Sequence, residues 1–216
     1  MEPIKGTDGQ PIGHVINAAQ GFWLPSDTPF GNLQLKLFKV IERLGHANQR
    51  IAESAEGWNT FVEATQPASG NPGAHHYYAA EESVFMIRRA ADELVSLVSL
   101  LQQRLATGDY PTKLAFDSVA GAIRSNHDLF RSHMALLTTL NEVANAHKHS
   151  FLQSDASIVG RDEPCVIALG LKSNNLDYEA ALYVVPLDHL TRSFNAFLID
   201  CLNHLQKLSE QLRDWP

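Results

Sequence analysis

Apolar residues return every three or four positions through most of this chain, and late in the chain, between residues 164 and 186, that period changes. Leu33, Leu37, Val40, Ile41 and Leu44 form one such stripe. Phe85, Ile87, Leu94, Leu97, Val98, Leu101 and Leu105 form a second, and Leu190, Phe194, Phe197, Cys201, Leu205, Leu208 and Leu212 a third. This spacing lines one face of an α-helix and forces that face against another element. The exception is a pair of short apolar runs, 165–169 and 179–185, rich in β-branched residues. Between them lies the turn-forming stretch Lys172-Ser173-Asn174-Asn175-Leu176-Asp177, so the pair reads as a β-hairpin. The predicted fold is mainly α: an up-and-down helical bundle of four long helices plus a short one, with a β-hairpin before the C-terminal helix.

The boundaries follow from local chemistry. Residues 1–30 are rich in Gly and Pro and read as an irregular arm, held to the body by Phe22, Trp23 and Phe30. Helices are expected over about 33–61, 77–105, 112–125 and 128–152, with Asn126 or Asp128 as N-cap of the last of these. The stretches 66–74 and 153–164 read as loops, the first because it carries two Pro and two Gly. Pro186 closes the second strand, and Asp188 is placed to cap a final helix over 188–213. Without an internal repeat or a low-complexity tract, residues 1–216 are taken as one domain: the arm, helices over 31–152, the hairpin over 164–186 and the closing helix.

A chain of 216 residues with 44% hydrophobic content can bury a sizeable core. Its net charge of −7 argues against a broad footprint for duplex DNA, which needs clustered Lys and Arg. The two cysteines, Cys165 and Cys201, make neither a disulfide framework nor a zinc motif, and read as reduced, buried thiols. With no signal peptide at the start and no run of 18 apolar residues, the expected location is the cytoplasm, with no membrane partner.

Ten histidines direct attention to the helix over 128–152. Set on a wheel as one continuous helix, it places His133 and His147 inside the apolar face, Asn141 and Lys148 on one edge, and His149 outward. Candidate site residues are therefore His133, Asn141, His147 and Lys148, a polar set facing the bundle interior and suited to acid–base work near neutral pH. A self-satisfied polar core gives the same pattern. His147 and His149 point to opposite sides, so they do not chelate one metal. His75-His76-Tyr77-Tyr78 falls at a loop-to-helix junction, where two histidines fall short of the three or four ligands a metal site needs. Arg88, Arg89, Arg124 and Arg131 read as solvated charges. No metal set, cofactor motif or nucleotide-binding loop is recognised.

Two segments resemble the HEPN-type helical domains of bacteria. One is the helix bearing Glu82, Phe85, Arg88 and Arg89, residues 85–94; the other is residues 140–151, with Asn141, Asn145, His147 and His149. The helix order and the closing long helix also fit, and with them the resemblance covers about half the chain. Membership implies a metal-independent ribonuclease of a toxin–antitoxin or phage-defence system, acting through an Arg followed by four to six residues and then a His. This chain has no Arg so placed; Asn141 stands where that Arg would, six residues before His147. Neutral Asn does not supply the fixed positive charge that stabilises a phosphate in transfer. The resemblance therefore implies a non-catalytic member that binds a protein partner or a second copy of itself. The alternatives are an atypical ribonuclease using Asn141, His147 and Lys148, with RNA as partner, and a metal-dependent bundle enzyme using several histidines.

Overall fold

The computed structural model describes residues 1–13, 21–63, 71–125, 127–151 and 161–213. Six helices and one two-stranded antiparallel sheet run in the order α1 (Leu33–Glu63), α2 (Pro72–Thr107), α3 (Val119–Ser125), α4 (Asp128–Arg131), α5 (Met134–His149), β1 (Cys165–Gly170), β2 (Ala181–Pro186) and α6 (Leu187–Arg213). The mainly helical class and the hairpin before the last helix agree with the sequence. The helix inventory differs: α1, α2 and α6 are long, α5 is 16 residues, and α3 and α4 are short. Among the described residues no helix is long and apolar enough to cross a membrane.

α2 is the hub, touching α1, α3, α5, α6 and β1. It starts five residues earlier than expected. Asn71 caps it, its side chain accepting the Ala74 N–H at 3.0 Å, and Pro72 occupies the first turn. A proline there loses no helical bond, so part of the Pro- and Gly-rich stretch belongs to the helix. Gly108, at φ 80°, ends α2 in the left-handed conformation, its N–H bonding Arg104 O.

The two glycines that interrupt the α1 pattern are contact points. A Cβ on Gly57 would lie 2.8 Å from His76 N and 3.1 Å from Pro72 O, so only glycine lets α1 and the start of α2 come this close. Gly45 faces Gly13 of the arm in the same way. Of the three aromatics expected to hold the arm, Trp23 and Phe30 are partly buried against the core. Phe22 is 67% exposed, whereas Ile4, Ile12 and Leu24 are buried. Asn48 of α1 accepts the Ile4 N–H at 2.8 Å and donates to Ile4 O and Ile12 O, satisfying backbone groups that burial takes from water.

Two predicted helices are shortened by side chains that capture backbone groups. Gln103 Oε1 accepts the Ala115 N–H and Ser99 Oγ the Phe116 N–H, so α3 begins only at Val119, whose own N–H is taken by Asp92. The helix expected over 128–152 is broken at Ser132–His133. The one-turn α4 carries Phe130, fully buried against Phe116 and Phe197. The turn is capped by His127, whose Nδ1 accepts the Leu129 N–H at 3.2 Å, and Asp128 lies inside it. Asn126 and Leu152, like most of the loop expected over 153–164, lie outside the described residues.

The hairpin pairs Cys165 with Pro186 through Gly170 with Ala181. Its turn carries Ser173 at φ 55° and Asn174 at φ 51°. β1 is buried against α2 and α5, and β2 is the outer strand. Leu187 N donates to Pro164 O, so by alternation the Cys165 carbonyl points away from β2. His76 meets it there: Nε2 is 3.0 Å from Cys165 O, while Nδ1 is 2.8 Å from Ser54 Oγ. One buried imidazole therefore joins α1, α2 and β1. Asp188, expected as a cap, lies within the first turn of α6, where it accepts the Glu2 N–H and pairs with Arg192.

Candidate functional site

α2 and α5 meet along a seam where polar side chains face each other in two successive rungs. On α2, Tyr77, Glu81, Phe85 and Arg88 follow at steps of four, four and three, which aligns them on one face. On α5 the facing residues are Asn141 and His147.

In the first rung Arg88 Nη2 donates to Asn141 Oδ1 at 3.2 Å. The same guanidinium pairs with Asp92 one turn on, and both side chains are largely buried. Asp92 also accepts the Val119 N–H at 2.7 Å. Arg88 therefore lies within the fold as a neutralised, hydrogen-bonded cation, not as the solvated charge expected. Arg89 and Arg131 are exposed, and Arg124 lies on the surface of α3.

In the second rung the His147 side chain is only 3% exposed, with Nδ1 4.0 Å from Glu81 Oε2. The rings of Tyr77 and Phe85 stand edge-on to it at 5.9 and 6.2 Å. Its Nε2 is buried without a hydrogen-bond partner. Burial pushes the imidazole below its ordinary pKa. Burial, then the charge of Glu82, push the Glu81 carboxyl up. Burial and Glu81 push the Tyr77 phenol up. Each shift favours the neutral form, as expected for ionisable groups held in apolar surroundings. The seam can pass a proton between Glu81 and His147 after a movement of about 1 Å, the distance by which their gap exceeds a hydrogen bond.

The four sequence candidates do not converge. Asn141 and His147 share the seam. Lys148 is exposed and makes no contact in it. His133 is the N-cap of α5, fourteen residues or about 21 Å along the axis from His147. A helical wheel projects along the axis and hides that separation. His133 Nε2 instead meets Asp200 Oδ2 of α6 at 2.9 Å, its ring edge-on to Phe197, beside a 360 Å³ groove that includes Ser132, His189 and Ser193. His75 is exposed while His76 is buried, so the adjacent pair faces two ways. Among the described residues no group of three or more His, Cys, Asp or Glu is arranged to hold a metal ion.

Glu81, Tyr77 and Asp92 were missed. Their signal is present as polar residues on the inner stripe of α2, although an acidic residue in the first turns of a helix also suits the helix dipole. No protein-family model, curated protein or solved structure matches this chain.

Proposed function

We infer that the chain is a non-nucleolytic, HEPN-like interaction module that binds a protein partner or a second copy of itself in the cytoplasm. The observation that carries this reading is the apolar rim around the hairpin. Phe151 is 88% exposed, Leu176 81%, Leu182 52% and Tyr178 46%. An exposed apolar cluster of this kind is characteristic of a contact surface. The outer edge of β2 adds to it. The backbone groups of Leu182 and Val184 point away from β1, and no described strand pairs with them. Pro186, which has no N–H to offer, occupies the same outward register. The closed state of the seam supports the same reading, since His147 is sheltered and Arg88 is neutralised. Light scattering of the purified chain over a dilution series is expected to show an associated species that dissociates on dilution. A strict monomer that captures no partner contradicts the inference.

One observation favours a second reading, an atypical ribonuclease. Arg88 brings a guanidinium to Asn141, the position where the resembling family carries its Arg, though from a different helix. On this reading His147 is the proton-transfer group and Arg88 the phosphate-binding cation. Wild type would then cleave RNA, and His147→Ala would lose about a hundredfold or more of that activity. Equal residual cleavage by both proteins rejects it.

A further inference from the structure

A second histidine cluster lies at the other end of the bundle, where His127, the cap of α4, meets Gln102 of α2 and His204 of α6. The carboxamide of Gln102, on α2, lies between two imidazoles. Its terminal nitrogen is 3.1 Å from His204 Nε2 and contacts His127 Nε2. The two rings are edge-to-face at 5.9 Å. Beneath them are Phe116, 6.1 Å from the His127 ring, and Phe130, 5.0 Å from it.

The hydrogen bonds fix the protons. His127 Nδ1 accepts the Leu129 N–H that caps α4, so in the neutral ring the proton is on Nε2. That N–H needs an acceptor. A half-turn of the Gln102 carboxamide places its oxygen there, where it accepts from both imidazoles. Two converging imidazoles otherwise suggest a metal site. A metal on His127 Nε2 would move the ring proton to Nδ1, against the Leu129 N–H, and the cap forbids it.

We propose that this corner is an acid-sensitive latch: neutral His127 holds the α4 turn closed over Phe130, and protonation releases it. The added proton must go to Nδ1, where it opposes the Leu129 N–H and removes the cap. It also places a cation beside the His204 ring. The charged groups facing the pair are Asp128 on α4, which favours protonation of His127, and Lys207 on α6, which opposes that of His204. Asp128 is itself paired with Arg131. α2 presents the neutral Gln102, and the chain before α3 presents Phe116. Burial leads the shift in both rings, and both pKa values fall below the ordinary imidazole value. The sign follows. A ring whose folded pKa lies below its unfolded one contributes no penalty at high pH. It destabilises the folded corner as pH drops from the ordinary value through the lowered one. Release uncovers Phe130 and the rings of Phe116 and Phe197 beneath it, an apolar surface made available only in acid.

The test is hydrogen exchange of the whole chain at pH 7.5 and 5.5, corrected for the intrinsic exchange rates. Protection of residues 127–133 is expected to fall about fivefold more than that of α1 at the lower pH, the worth of one helix cap. His127→Asn, which keeps a capping side chain without a titrating ring, is expected to remove the difference. Equal protection at both pH values in the wild type overturns the proposal, as does a variant that opens as much as the wild type. If the variant does not fold, the imidazole resonances of the wild type decide. His127 titrating below the ordinary value supports the latch, and titration at or above it overturns the latch.

Discussion

Gly57→Ala lowers the stability of this protein by about 2–3 kcal/mol, although the same change inside an ordinary helix raises it by about 1 kcal/mol. The sign reverses because the new methyl meets backbone. His76 N would be 2.8 Å away and Pro72 O 3.1 Å, and neither atom can rotate aside as a side chain can. The first turns of α2 must then move off α1, carrying with them His76 and its bond to β1. In a chain of this size the loss corresponds to a melting temperature about 5–10 °C lower. Thermal unfolding followed by circular dichroism measures it. A variant as stable as the wild type shows that α1 and α2 are not held at this distance.

His76→Ala costs about 3–4 kcal/mol. The imidazole is 2% exposed and joins three elements through Ser54 and Cys165. Its loss leaves the Ser54 hydroxyl and the Cys165 carbonyl buried without their partner, and opens a cavity beside Trp58, whose ring is 5.3 Å from that of His76. Because β1 faces β2 with one edge and His76 with the other, the hairpin loosens before the bundle does. Denaturant unfolding gives the size of the effect, and hydrogen exchange its location. Exchange should accelerate in β1 more than in α6. Uniform acceleration across both would mean that His76 supports the bundle as a whole and does not anchor the hairpin.

The parts of the fold legible in the sequence were those carried by periodicity. α1, α6 and the hairpin have repeats long or regular enough that local pattern and tertiary burial agree. The corrections fall where a side chain from elsewhere captures the backbone. Thr112 to Ser118 stays out of α3 because Gln103, Ser99 and Asp92 hold it. The break at His133 lets Phe130 be buried, and no repeat in residues 128–152 announces it. The candidate site divides for a different reason: His133 and His147 share a face of the wheel but stand about four turns apart along α5, a separation that a wheel does not show. Asn141 and His147 do lie against α2, as the apolar wheel placed them. Their partners Arg88 and Glu81 were beyond reach because pairing across helices depends on how α2 and α5 align, which one helix's pattern does not contain. The anchoring of the arm was legible in part: Trp23 and Phe30 pack on the core as their aromatic character implied, whereas Phe22 is exposed and Ile4, Ile12, Leu24 and Asn48 supply the remaining hold.

Whether the hairpin face associates is tested most directly at the outer edge of β2. Amide exchange of Leu182 and Val184 is measured at low and high protein concentration, in wild type and in Leu182→Lys. These two amides are expected to become protected as concentration rises, or when a protein partner is added, and the lysine variant to show no such gain. Amides that exchange freely at every concentration and with every partner that binds the chain contradict it.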